Sequence, residues 1–200
     1  MLSSTDRISV GGKSPLTGGI KEANAGGRTG LHMTHMGIFA LIVEGEPQED
    51  GYWILHLSLA GGAQWERADE VAGLGVYATA PKLLAKYGEK VAIAMIGPGG
   101  EMRMRAAGIQ NIDKDRVPAR IAARGGLGAV MGSKGLKAIV FDNAGGQKPP
   151  VVDMEAFKVA QKDYTKSVLE HPQSITYRDY GTAAIAPMCQ SFAALPARNF

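Results

Sequence analysis

Cysteine is nearly absent: the 200-residue chain has one, Cys189. A lone thiol excludes an intrachain disulfide framework, and it cannot by itself hold an iron–sulfur cluster. Long hydrophobic runs are absent too. None approaches the roughly 18 apolar residues that read as a membrane span, so no membrane partner is expected. Residues 1–12 lack the apolar core of a secretory signal. A cytoplasmic protein is the default expectation. Charge of one sign is scarce: 22 Lys and Arg stand against 19 Asp and Glu, a net +3. That excess does not imply a nucleic-acid partner. Aromatic residues are only 6%. Trp53 and Trp65 are expected in the core or an interface rather than as stacking platforms.

Glycine, by contrast, is plentiful, with 27 residues against an average usage of about 7%. No Gly-X-Y period accompanies it, which excludes collagen. The glycines therefore serve tight turns and close backbone approach. Apolar residues at 45% and charged residues at 20% are ordinary for a globular protein of one or two domains. The cations are not evenly spread: Arg103, Arg105, Lys114, Arg116, Arg120 and Arg124 follow one another, with Lys134 and Lys137 after them. Such a run suits a phosphate or pyrophosphate, or is a solvated basic face.

Alternation predicts a strand over 7–10, then a Pro- and Gly-built turn over 13–19 and a glycine loop over 24–27. A short helix is expected over 32–36. The apolar run 38–43 reads as a strand, paired with a second strand over 52–59 through a turn at 47–51. Asp69 is a plausible N-cap for a helix to Tyr87, weakened by Gly73, Gly75 and Pro81. Residues 91–96 form a buried strand ended by Gly97-Pro98-Gly99-Gly100. A returning strand is expected over 102–109, a short helix to about Lys134, and a strand over 136–141. Gly145, Gly146, Pro149 and Pro150 mark a linker over 143–152. Beyond it, helical spacing covers 153–169, and a second helix kinked at Pro187 covers 182–193. The first 142 residues are thus mixed α and β, and the rest is helical.

The most informative stretch is Arg124-Gly125-Gly126-Leu127-Gly128-Ala129-Val130-Met131-Gly132-Ser133-Lys134. It is a glycine-rich loop leading into a helix, where free N–H groups and the helix dipole favour an anion. Arg124 adds a planar fork for phosphate. It is not a Walker loop, because Ser133 separates Gly132 from Lys134. Nor is it a dinucleotide fingerprint, because Met131 stands where Gly or Ala is required. Close packing of a glycine helix on a sheet explains the same residues, and on physical grounds both readings stand.

The same stretch, continued through Gly135-Leu136-Lys137-Ala138-Ile139, resembles the RGGxGAVMGSKNLKAI signature of the aldehyde:ferredoxin oxidoreductase family. Lys13-Ser14-Pro15-Leu16-Thr17-Gly18 with Asn24-Ala25-Gly26-Gly27 resembles that family's KSPLTG…ANxGG. Residues 37–45 resemble its strand ending in VEG. Ile96-Gly97-Pro98-Gly99-Gly100-Glu101 resembles IGPAGE. Tyr180-Gly181-Thr182 resembles YGT, and Pro196-Ala197-Arg198-Asn199-Phe200 resembles PxxNF. These matches follow one another along nearly the whole chain.

The resemblance implies an α+β fold: a β-sheet-based pterin-binding domain over 1–142, incomplete at its N-terminus, and the start of a helical domain over 153–200. It implies a tungsten or molybdenum bis-pterin cofactor. Arg7, Asn24, Gly26, Ala123, Arg124 and Gly125 match the family's pterin-contacting positions. The backbone carbonyls of Asn24 and Ala122 match those that hold a magnesium ion between the pterin phosphates, a site suited to oxygen ligands. The implied reaction oxidises a small aldehyde to a carboxylic acid. Electrons pass through a [4Fe–4S] cluster to ferredoxin as partner, and a homodimer is compatible with it. The catalytic acid or base is not among the matched motifs.

Departures also count. Ala123 stands where a glycine is common, Gly135 replaces a common Asn, and the family's CxxCxxxC cluster cysteines would fall beyond Phe200. The alternative is an inactive fragment, or a phosphate- or nucleotide-binding module without redox chemistry. Smaller features have plainer explanations. His32 and His35, three apart on a predicted helix, would need further ligands to hold zinc and fit a loop or surface helix. Thr182 fits a helix cap, Cys189 a small buried apolar residue, and Glu101 a salt-bridged or solvated carboxylate.

Overall fold

The computed structural model of the chain describes residues 7–195. The Pro196 to Phe200 motif lies outside them. The chain divides into two compact units, one ending at Pro149 and one starting at Pro150.

The first unit opens with an antiparallel hairpin, β1 (Ile8–Lys13) and β2 (Ile20–Ala25), in register from Ile8 opposite Ala25 to Lys13 opposite Ile20. A short helix α1 (Thr29–His35) follows. Then come β3 (Trp53–Ser58), β4 (Gly62–Arg67), α2 (Val76–Tyr87), β5 (Ala92–Met95), the single turn α3 (Pro98–Glu101), β6 (Ile109–Asn111), β7 (Arg120–Ala122), α4 (Leu127–Ser133) and β8 (Leu136–Asp142). Six strands form one sheet in the order β4-β3-β8-β5-β6-β7. Only β3 and β8 run parallel; the other pairs are antiparallel.

Both faces of this sheet are buried, as the continuous apolar runs of β5 and β8 require. Alternation sends Ile54, Ile93, Met95, Ala138 and Val140 to one face. There α2 presents Ala80, Leu83 and Leu84 on a single helical stripe. Leu55, Leu57, Ala94 and Phe141 go to the other face, against Ala23 and Ala25 of the hairpin and Leu127 and Met131 of α4. The fold is α+β, as expected.

Several elements depart from the sequence expectation. Residues 38–43 form no strand. Leu41 and Val43 pack on the core, but Phe39 and Ile42 are exposed, and the segment finds no strand to pair with. The partner of β3 is instead β4, an edge strand whose Gly, Gln and Glu gave no strand signal. Helix α2 starts after Gly75, not at Asp69. The two glycines delay it, whereas Pro81 lies inside it. Residues 102–108 are turns rather than a strand, with Arg103 at φ 54.

Lys137 is not on a solvated face; it is fully buried. The register of β3 against β8 shifts between Trp53 and Ile54 and skips Lys137. The bulge re-aims that side chain. Its ammonium donates to Glu101 and to the carbonyl of Leu74 at 2.8 Å. Glu101 also accepts from the Gly73 N–H at 2.8 Å, so it is the salt-bridged carboxylate anticipated. His32 is buried rather than on a surface helix, with Nδ1 3.0 Å from the Phe141 carbonyl oxygen.

The second unit is helical. Asp153 caps α5 (Met154–Glu170) by accepting from the Ala156 N–H. Next come α6 (Pro172–Tyr180), which the sequence reading did not anticipate, a 3₁₀ turn (Gly181–Ile185) holding Thr182, and α7 (Ala186–Ser191). Pro187 sits in the first turn of α7 instead of kinking a longer helix. Cys189 is only partly buried.

Candidate functional site

The site begins at the β1–β2 hairpin. Its turn is tied by Ser14, whose buried hydroxyl accepts from the Leu16 and Thr17 N–H groups at 3.1 and 3.2 Å. At the open end, Ile8 stands opposite Ala25, which brings Arg7 beside Gly26. Arg7 and Asn24 are exposed. The Asn24 amide donates to Glu22, which also accepts from Ser9 Oγ at 2.7 Å.

Strand β7 packs alongside β2, and Ala23, Ala25 and Ala122 share one buried cluster. A Cβ on Gly26 would touch Arg120 Cδ at 3.9 Å, and one on Gly125 would stand 2.7 Å from Lys21 Cβ. Arg120 therefore lies at one end of β2 and Gly125 at the other. The two glycine loops, about a hundred residues apart in the chain, border one strip of surface. Arg7, Asn24 and Gly26 occupy one end. Ala123, Arg124 and Gly125 continue along it from Ala122. The strip follows a six-residue strand, a length of about 20 Å.

The loop geometry explains the glycines. Gly125 and Gly126 have φ of 76° and 70°, the left-handed region that glycine enters without steric cost. A Cβ on Gly126 would also sit 1.9 Å from the Arg105 carbonyl oxygen. Gly128 and Gly132 serve packing instead: their Cβ atoms would meet the Gly108 and Gly100 carbonyl oxygens at 2.3 and 2.0 Å. Half of the glycine motif is thus helix packing, and half is loop conformation.

The helix N-terminus contributes less than the sequence suggested. Helix α4 is largely buried, and the Gly128 N–H donates to the Ala107 carbonyl at 2.8 Å. The accessible groups are in the loop before it, where Ala123 and Arg124 are exposed.

The cationic run divides in two. Arg116 pairs with Glu89 at 2.7 Å, Lys134 donates to the Gly45 carbonyl, and Lys137 is buried. Arg105, Arg120 and Arg124 remain exposed near the loop, although Arg120 approaches Asp113 at 4.0 Å. Lys21 and Arg105 were missed as site residues. Arg105 lay in the cationic run, but nothing in the sequence placed Lys21 against Gly125.

Along the strip Arg7, Asn24, Ala123 and Arg124 are exposed, and Ala122 and Gly125 are buried. The 520 Å³ cavity beneath the hairpin is lined by apolar groups such as Val10, Met33, Leu127 and Phe141, and by none of the loop residues above. Among the described residues, no group of three or more His, Cys, Asp or Glu could hold a metal, which leaves the two histidines of α1 without the further ligands zinc would need. No helix there is long and apolar enough to cross a membrane.

These features define an α+β domain whose mixed sheet supports a glycine-lined, cation-flanked strip. The chain belongs to the aldehyde ferredoxin oxidoreductase family, matching the model of its N-terminal domain over residues 1–143. It is 34% identical over 199 residues to the tungsten-containing aldehyde ferredoxin oxidoreductase of Pyrococcus furiosus, covering 97% of this chain and 31% of that protein. The Pyrococcus abyssi counterpart is 36% identical over 190 residues, covering 94% and 30%. The aliphatic sulfonate oxidoreductase WOR-like subunit of P. furiosus is 28% identical over 191 residues, 89% of this chain and 29% of that one.

Among solved structures, the active-site complex BamBC of benzoyl coenzyme A reductase, bound to 1,5-dienoyl-CoA, matches with a TM-score of 0.75 at 25% identity. The match covers 86% of this chain and 25% of that one. The members are oxidoreductases. The chain spans about 30% of the length of the curated relatives it matches.

Proposed function

We propose that the strip between β2 and β7 is where this protein grips the phosphate ends of a tungsten or molybdenum bis-pterin. The observation that carries this reading is the packing of β7 along β2, which sets the two glycine loops at either end of one strip flanked by exposed cations. In this reading residues 1–142 are the cofactor-binding domain, 143–152 a linker and 153–200 the start of a helical domain.

Each residue has a role that its chemistry supports. Arg7 and Arg124 offer guanidinium forks to phosphate oxygens. Gly26 keeps the backbone bare, so that main-chain groups approach an anion closely, and the buried Gly125 lets the loop close over Lys21 at its positive φ. Oxygen ligands suit magnesium; of the two carbonyls assigned to it, that of Asn24 belongs to an exposed residue and that of Ala122 to a fully buried one, against Gly108. Ala123 continues the loop between them. When bound, the metal–pterin group supplies the redox chemistry, and the protein binds, orients and tunes it. The whole enzyme is an aldehyde oxidoreductase that uses water, with a [4Fe–4S] cluster passing electrons to ferredoxin. The likeness to an aliphatic sulfonate oxidoreductase subunit leaves the substrate class wider than aldehydes.

Metal and pterin analysis tests the proposal. Protein made in a host able to supply the cofactor should carry tungsten or molybdenum with pterin. Arg124→Ala should lose most of it while keeping the thermal transition of the parent. Parent protein free of both metals and of pterin would refute the reading in favour of a non-redox module.

A further inference from the structure

The fold holds Lys21 by its stem. Alternation along β2 puts Lys21 on the face of the buried Ala23 and Ala25, the face that packs with Ala122 of β7. A Cβ on Gly125 would stand 2.7 Å from Lys21 Cβ and 3.1 Å from its Cγ. Glycine at 125 therefore makes room for the lysine stem. Lys21 itself is exposed, as a side chain is when its stem lies along the protein and its charged head stays in water.

No carboxylate answers that charge. Glu22, next in the chain, points to the opposite face of β2, where it accepts from Ser9 Oγ at 2.7 Å and from the Asn24 amide. Two further exposed cations flank the same loop. Arg124 precedes Gly125, and the Arg105 carbonyl oxygen lies against Gly126, 1.9 Å from where a Cβ would be. Among the described residues none of Lys21, Arg105 and Arg124 has an ion-pair partner. Arg67, Lys86, Arg116 and Lys137 of the same unit each pair with a carboxylate. Unmatched cations gathered at one loop raise the local positive potential and favour an anion there.

We infer that Lys21 is a phosphate-binding residue of the strip, forming with Arg105 and Arg124 a three-cation cluster that takes a multiply charged phosphate. This role rests on the strip being a phosphate site, as proposed for it, and Lys21 lies outside the glycine and arginine motif that pointed there. Lysine adds a point charge on a flexible stem beside the planar fork of Arg124. Packing of that stem on Gly125 reduces the freedom lost when the ammonium is fixed on an anion.

Calorimetric titration of the full chain with inorganic pyrophosphate at low salt tests the role. Lys21→Met keeps the stem on Gly125 and removes the charge. It should bind about tenfold more weakly, the loss of one charge-assisted hydrogen bond, with a flatter dependence on salt and the parent's unfolding transition. Lys21→Arg restores the charge and should restore the affinity. Lys82→Met removes a charge from α2, on the opposite side of the sheet, and should bind as the parent does. Pyrophosphate binding that Arg124→Ala weakens and Lys21→Met leaves unchanged would overturn the role of Lys21 alone. Equal losses in Lys21→Met and Lys82→Met would do the same. A parent chain that binds no pyrophosphate would overturn the strip as a phosphate site, and Lys21 with it.

Discussion

Residues 7–149 bury two apolar clusters on opposite faces of one sheet, whereas none of the helices between 154 and 191 buries a side chain. In the second unit Val152, Leu169, Tyr180 and Phe192 are exposed. Amphipathic helices of this length are marginal in water without a surface to pack on. Intrinsic stability therefore resides in the first unit, where the candidate site is, and the second has secondary structure without a core of its own.

The contrast can be pressed hardest at the buried ion pair. Lys137 is fully enclosed, and Glu101 keeps only 10% of its side chain exposed. Glu101→Ala would strand a buried cation, at a cost of about 3–5 kcal/mol. Denaturant unfolding should show that loss, and the double variant E101A/K137M should recover much of it. A single-variant loss under about 1 kcal/mol would mean that water reaches Lys137.

A pair of glycine substitutions comes next. Gly126→Ala meets both a positive φ and the Arg105 carbonyl, and should cost about 2–3 kcal/mol. Gly181→Ala also meets a positive φ, but nothing lies within contact distance. It should cost about 1 kcal/mol and leave the main transition where it was. Equal effects on that transition would show that the two units unfold together.

Acid should weaken the first unit through His32. Burial disfavours its imidazolium and lowers its pKa below the ordinary 6.5, with Arg28 and His35 adding to the effect and the bond to the Phe141 carbonyl opposing it. The unfolded chain takes the proton first, so this contribution is whole above pH 6.5 and erodes as pH falls below it. His32→Asn should flatten the slope of stability between pH 6.5 and 5. An unchanged slope would assign it to other groups.

The smallest free energies appear in hydrogen exchange. Amides of β5 and β8 should exchange only by global opening, and those of α5 by local fraying. Comparable protection in α5 would reveal a docking surface for it within the chain.

The fold was legible wherever apolar character was dense. The runs of β5 and β8 have a length and composition that leave little choice, and the helical spacing over 153–169 announces α5. Strands β2 and β4 were not legible. Ile-Lys-Glu-Ala-Asn-Ala and Gly-Ala-Gln-Trp-Glu-Arg carry few strand formers, and they are extended because of their hairpin partners. Residues 38–43 erred the other way: apolar content suggested a strand, but strand formation needs a neighbour. At the site, the glycine loops and Arg124 were readable as a motif. Lys21 was not, because its place against Gly125 follows from hairpin register and the packing of β7, neither of which is local. The bulge that buries Lys137 was hidden for the same reason.

Whether the strip between β2 and β7 holds anions is read by amide NMR with inorganic pyrophosphate as probe. Asn24, Ala123 and Arg124, all exposed along that strip, should shift together along a single binding curve, and Arg124→Ala should weaken that curve. Shifts confined to one loop, or two curves with separate affinities, would contradict it.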